Sequence, residues 1–408
     1  MQQGPIAMIN RRAVLTGAGM LACPALLRAQ TASQTGPIRI GEINSYTAQP
    51  AFTLPYRNGW QLAVEQVNQQ GGIMGRKLEI ISRDDAGRPP DAVRIAGELL
   101  ADEGVDLLAG TFLSNVGLAV SDFAREQKRL FVGGEPLSDA LVWEKGHRYC
   151  FRLRPSTYML AAMLVDDAAK LPATRWVTVA PNYEYGQSAV KWFKQMLTAR
   201  RPDVTFVGEQ WPALGKIDAG ATVQALLDQK PEAIFNATFG ADLTNFVRQG
   251  NTRGLFEKRR VVSMLTGEPE YLDPLADETP PGWIVTGYPA GLDTPAHRSF
   301  ADAYRAKFNE APKMGSVVGY SLINAITAGL RRAGSTETEA MVDGLRGAQF
   351  DTPFGPAMFR PQDQQSTLGA YVGQLAQAGG RGVMTNWRYI DGAAVLPDDA
   401  AVKALRPG

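Results

Sequence analysis

Few side chains in this sequence are equipped for chemistry. Its 408 residues include two histidines and two cysteines. His147 lies in "EKGHRY" and His297 in "TPAHRSF". Neither forms part of an HExxH pair and no CxxC occurs, so no zinc or other metal site is expected. "GQSAV" and "GYSLI" open like the GxSxG turn that presents a serine nucleophile, but both lack the closing glycine. No GxxxxGK[ST] loop is present to cradle a nucleoside triphosphate. Gly17-Ala18-Gly19-Met20-Leu21-Ala22 fits the dinucleotide pattern in form only, because it falls in a leader segment rather than between a strand and a helix. No cofactor is expected. What remains is a pair of carboxylates, Glu135 and Glu268. They could serve as the acid and base of a glycosidase. They could instead pair with an ammonium or hydroxyl of a ligand, or with an arginine such as Arg154, or be solvated loop glutamates.

The elements that must position these residues alternate regularly. "PIRIGEI", "KLEIISRD", "VDLLAG" and "RLFVGG" read as strands. Between them stand amphipathic helices such as "YRNGWQLAVEQVNQQGG", with Trp60, Ala63, Val64 and Val67 on one face. The rhythm resumes with "WVTVAP", "VTFVGEQ", "AIFNATF" and "RRVVSML". Strands alternating with helices predict parallel sheets covered on both faces. Two such series, joined near "FRLRPSTY", predict two doubly wound lobes. "WIVTGYP" is read as crossing back, and "FGPAMFRPQDQQSTLGAYVGQL" as antiparallel strands.

In open parallel sheets ligands bind beyond the carboxyl ends of the strands. The loops there carry Asn44-Ser45-Tyr46, Thr111 to Asn115, Gly133-Gly134-Glu135, Asn182 to Tyr185, Thr238-Phe239-Gly240 and Thr266-Gly267-Glu268. They hold hydroxyls, amides, aromatic rings and carboxylates, with no histidine or cysteine. Ser114 is placed to cap a helix whose free N–H groups favour an anion, and one hydroxyl can do both. Tyr46, Phe52, Tyr185 and Phe239 could line a flat apolar pocket or simply pack the core. Asn115, beside Ser114, and Thr157, just after the join, complete the candidate ligand-binding set.

Composition narrows the classes further. Hydrophobic content is 45%, charged content 20% and net charge +1. That is ordinary for a globular protein and suggests no nucleic-acid partner. Arg11 and Arg12 followed by the apolar run Val14 to Leu27 and a cleavage site at Leu27-Arg28-Ala29 have the layout of a secretory signal peptide. The run is too short to span a bilayer, which takes about 20 apolar residues. The paired arginines match a twin-arginine export signal in part. Cys23 in "MLAC" is an alternative lipid-attachment point. After removal of residues 1–29, Cys150 is the only cysteine, and its strand-like surroundings read as core.

The order of "GPIRIGEINSYTA", "NGWQLAVEQVNQQGGIMGRKLEIISRDD", "YEYGQSA", "VRQGNTRGL" and "VVGYSLINAITAGLRRAGS" resembles the branched-chain amino-acid (Leu/Ile/Val) binding proteins of ABC transporters, which are class I periplasmic binding proteins. The resemblance covers nearly the whole mature chain. It implies an α/β fold with two doubly wound parallel-sheet lobes joined by a three-segment hinge, periplasmic binding protein type I. Lobe 1 would hold 37–153 with 287–351, lobe 2 154–286 with 352–395, and 396–408 would form a tail. It further implies a small ligand caught by hinge closure, a periplasmic location, permease subunits of an ABC transporter as partners, and a monomer. By the resemblance Ser114 holds a ligand carboxylate, Tyr185 and Phe239 line the second lobe, and Glu268 meets a ligand ammonium. One departure matters. In "GGEPLSD", Glu135 and Leu137 replace small and hydroxyl residues that bind the carboxylate in the family. A carboxylate beside a ligand carboxylate repels it unless one is protonated or a cation intervenes. The expected ligand is then a small amino-acid-like, keto-acid or aromatic carboxylate rather than a standard amino acid, and the aromatic lining leans toward the last. The other readings are a ligand-binding sensor subunit for amides or urea, and a secreted hydrolase.

Overall fold

The structure is a computed structural model that describes Met1 and residues 36–406. The leader, with its arginine pair and Cys23, lies outside the described residues. From Gly36 onward the chain is one compact unit built on two sheets. The first holds β1 (Ile38–Asn44), β2 (Leu78–Asp84), β3 (Leu107–Gly110), β4 (Phe131–Gly133) and β5 (Cys150–Arg152), all parallel, in the order β2-β1-β3-β4-β5. The second holds β6 (Arg175–Val179), β7 (Thr205–Gln210), β8 (Ala233–Asn236), β9 (Arg260–Gly267) and β10 (Ile284–Gly287). These five are parallel to one another. A short hairpin, β11 (Gln349–Thr352) and β12 (Gly355–Met358), precedes β13 (Ala370–Ala378) and β14 (Arg381–Ile390). The last two extend the second sheet antiparallel, giving the order β14-β13-β10-β9-β8-β6-β7.

The central strands β3 and β8 are buried at every residue. Their sequences, "LLAG" and "AIFN", are accordingly continuous apolar runs rather than alternating ones, as expected of strands covered on both faces. The chain passes between the two lobes three times: after β5, after β10 and between β12 and β13. The segment "WIVTGYP" therefore contributes a strand to the second sheet before the chain crosses. The stretch read as a tail carries a helix, Asp399–Leu405, with Val402 buried. Arg152 ties two crossings together. It is fully buried, its Nε donates to Gln365 Oε1, and a guanidinium nitrogen donates to the Ser138 carbonyl.

The first lobe rests on a close crossing of the helices Pro50–Gln69 and Met314–Ala333. Glycines permit it. A Cβ at Gly59 would lie 2.1 Å from the Ser316 carbonyl oxygen, and one at Gly319 2.1 Å from that of Tyr56. No side chain fits either position without separating the helices, and overpacking of this kind costs about 1–3 kcal/mol. Gly319→Ala is therefore expected to lower the thermal unfolding midpoint, whereas Asn324→Ala, five residues along the same helix on its partly exposed face, leaves it nearly unchanged. Differential scanning fluorimetry of the two variants checks this.

Candidate functional site

The carboxyl ends of both sheets face one small cavity whose free space, about 20 Å3, is close to that of a single water molecule. Its walls come from loops after β3, β4, β5, β6, β8 and β9. Ser114, Glu135 and Arg154 line it from one side, with Tyr185, Phe239 and Tyr271 from the other. Rings run around it: Phe52 to Phe112 at 5.3 Å between centroids, Phe112 to Phe239 at 6.0 Å, Tyr185 to Phe239 at 5.6 Å and Phe239 to Tyr271 at 6.4 Å. Such tilted and edge-on contacts suit the quadrupoles of aromatic rings. The Phe112–Phe239 contact spans the two lobes.

At the centre lies Arg154, 4% exposed. One guanidinium nitrogen donates to Glu268 Oε1, and the other reaches Glu135 Oε2 at 3.4 Å. The guanidinium carbon stands 5.2 Å over the ring of Phe52, a cation–π distance. Glu135 Oε1, Glu268 Oε2, Arg154 Nε and Tyr185 Oη are buried with no hydrogen-bond partner. Burial pushes the Glu135 carboxyl well above the usual range, further than Arg154 pulls it down. It raises Glu268 as well, in spite of the same arginine. Burial also keeps the Tyr185 hydroxyl protonated. Four unpartnered polar atoms around one small cavity are costly unless something fills it.

The structure brings Ser114, Glu135, Tyr185 and Phe239 to the cavity wall, Glu268 behind Arg154, and Phe52 one ring further back. Ser114 does not cap its helix: Leu113 is the N-cap, in extended conformation, and Ser114 is already helical. Its Oγ instead accepts from the N–H groups of Leu137 and Ser138 at 3.2 and 3.1 Å, leaving its own proton free to donate. Tyr46, Asn115 and Thr157 are not on the wall. Tyr46 donates to the buried Glu42 at 2.9 Å, inside the first lobe. Thr157 donates to Asp139 Oδ2 at 2.6 Å, beside Ser188 donating to the same oxygen at 2.7 Å. That carboxylate thereby links the first lobe to two helices of the second. Leu265 and Tyr271 line the cavity without having been singled out by sequence. Leu265 has φ +65° and Thr111, at the end of β3, φ +60°. Non-glycine residues in this region are strained and concentrate at ligand sites. The histidines stand elsewhere, His147 against Ser121 and His297 against Tyr288. Cys150 is buried, its thiol pushed up to about 11 by desolvation, which suits a core residue and not a nucleophile. Among the described residues no cluster of histidine, cysteine and acidic side chains could hold a metal, and no helix is long and apolar enough to cross a membrane.

A family model described as periplasmic binding protein matches residues 37–381. The leucine-, isoleucine-, valine-, threonine- and alanine-binding protein of Pseudomonas aeruginosa is 24% identical over 304 residues, covering 73% of this chain and 79% of that protein. A solute-binding protein of an ABC transporter from Rhodopseudomonas palustris BisB5, in complex with 3,4-dihydroxybenzoic acid, has a TM-score of 0.78 at 22% identity, covering 87% of this chain and 98% of that one. Another from Rhodopseudomonas palustris HaA2, in complex with p-hydroxybenzoic acid, has a TM-score of 0.79 at 19% identity, covering 87% and 97%. The two structural likenesses bear on the fold.

Two outcomes follow from the buried charges. Arg154→Met strands two carboxylates, and breaking a buried pair by removing one partner costs about 3–5 kcal/mol. Chemical denaturation should show a loss of that order, partly recovered when Glu135→Gln and Glu268→Gln are added. The second outcome concerns pH. Burial pushes Glu42 up to about 7 from an ordinary 4.5, and raises Glu135, Glu268 and Glu270. The folded chain thus holds protons that the unfolded chain has released. Their stabilising contribution is complete below the ordinary carboxylate value and is lost as pH rises through the folded values. The unfolding midpoint should fall between about pH 5 and about pH 8, and Glu42→Gln should flatten part of that slope.

Proposed function

This chain belongs to the periplasmic binding protein family, the solute-binding proteins of ABC transporters, and from that premise we propose that it captures a small carboxylate with an aromatic or apolar body. The observation that carries the reading is a buried guanidinium, Arg154, at the centre of an aromatic-lined cavity between two lobes. Two relatives of the same fold are described in complex with hydroxylated benzoic acids, and the P. aeruginosa relative is named for aliphatic amino acids.

Ser114 donates its free hydroxyl proton to the ligand from the first lobe. Tyr185 offers its unpartnered hydroxyl from the second. Phe112, Phe239 and Tyr271 enclose the ring. The ligand settles on one lobe first, and the contacts available only in the closed form shift the hinge equilibrium. Closed-form contacts are already visible between the lobes: the Gly315 N–H donates to Glu270 Oε1 at 2.6 Å, and Lys313 pairs with Asp273 at 2.5 Å. The closed surface is then offered to permease subunits outside the cytoplasm, and the protein acts as a monomer that returns its ligand unchanged. The proposed lobes are 37–153 with 287–351, and 154–286 with 352–395.

A thermal-shift panel of benzoates, branched keto acids, amino acids, amides and urea tests the reading. A ligand at about 100 times its Kd stabilises by roughly 2.7 kcal/mol. The expected responders are aromatic acids, and Ser114→Ala and Tyr185→Ala should each weaken their binding in calorimetry without unfolding the protein. A response confined to amides, or wild-type affinity in both variants, contradicts the assignment.

A further inference from the structure

The cavity is oddly charged for an anion. Two buried carboxylates, Glu135 and Glu268, share the buried guanidinium of Arg154, and a third, Glu270, stands near them. Glu270 is the best provided, with the Gly315 N–H at the start of helix Met314–Ala333 and Lys313 nearby. Glu135 and Glu268 share Arg154, and each keeps one oxygen, Oε1 and Oε2 respectively, buried and unpartnered. The other polar neighbours are Tyr185 and Tyr271 of the second lobe and Tyr56 of helix Pro50–Gln69, with Glu42, Tyr46 and Arg57 beyond it. Among the described residues no further buried cation faces Glu135. A ligand carboxylate entering here would add a negative charge to a site that already has an excess of them, in a medium where the repulsion is poorly screened.

We propose that Glu135 is the specificity-determining residue of this site and binds the ligand as a neutral carboxyl, donating its proton to the ligand carboxylate while Arg154 turns from Glu268 to the ligand, so that capture of a monoanion depends on that proton and draws it from solvent wherever the free protein has lost it. The inference rests on the carboxylate reading above. The acid form solves the geometry as well as the charge. A protonated Glu135 converts an unpartnered acceptor on the cavity wall into a donor, and a carboxylate ligand needs donors. It also gives a physical reason for the departure in "GGEPLSD". A hydroxyl there would serve a carboxylate at any pH, whereas a glutamate serves it only when protonated. Burial pushes the Glu135 carboxyl well above its ordinary range, which favours the donor form. A zwitterionic amino acid brings its own cation and needs no such proton.

Isothermal titration with benzoate, in phosphate and in Tris buffer, counts the protons exchanged. Wild type should hold its affinity while Glu135 keeps its proton, and at higher pH should take up roughly one proton per benzoate as its affinity weakens by up to about tenfold per pH unit. Glu135→Gln donates an N–H at every pH, so it should bind benzoate with a flat pH profile and a reduced proton count. Leucine serves as the zwitterionic comparison. Benzoate affinity in wild type that does not fall at high pH, or an unchanged pH profile in Glu135→Gln, overturns the inference and leaves the carboxylate reading standing. Failure of benzoate to bind, with or without leucine binding and proton release, overturns both.

Discussion

A guanidinium is not taken out of water alone. Everything at the centre of this molecule follows from the burial of Arg154 between two lobes. Desolvating that charge demands counter-charge, supplied by Glu268 from the second lobe and by Glu135 from the first. Desolvating those carboxylates in turn pushes them toward their neutral forms. The cluster is therefore neither a settled salt bridge nor an empty pocket. It is a charge arrangement with spare donors and acceptors, held where two sheets end.

The fold supplies the placement. Parallel strands bring six loops to one level, and the hinge sets the two sets of loops opposite each other. Arg154 lies in the first crossing, between β5 and the helix that starts at Thr157, so the guanidinium proposed to meet the ligand is also part of a segment that joins the lobes. Other interlobe contacts, Asp139 with Thr157 and Ser188 near the hinge and Glu270 with Gly315 across the cleft, surround the central cluster with polar links of moderate strength. Moderate links suit a closure that must reverse. Only contacts that differ between open and closed forms contribute to it.

Much of this was legible in the sequence, for identifiable reasons. The alternation of apolar runs and amphipathic helices revealed the two sheets, and the loop-after-strand rule led to Ser114, Glu135, Tyr185 and Phe239. Leu265 and Tyr271 escaped it. Leu265 reaches the cavity through a left-handed backbone turn inside β9, which no composition rule anticipates. Tyr271 projects from a short helix that begins beyond the loop. Tyr46 and Thr157 were sound as loop and helix-start residues, but stronger local partners hold them: a buried Glu42 in one case and Asp139 in the other. Ser114 shows the limit of a capping argument. A one-residue shift of the helix start moved its hydroxyl from the helix end to the 137–138 backbone. The Arg154 cluster itself pairs Arg154 with a glutamate 114 positions away, so spacing carried no sign of it.

The most direct measurement is a crystal structure of the protein with a bound aromatic acid. The account predicts the ligand between the lobes, its carboxylate on the Arg154 guanidinium within reach of Glu135 and Ser114, and its ring among Phe112, Tyr185 and Phe239. A ligand seated elsewhere, with the Arg154–Glu268 pair intact, would contradict it.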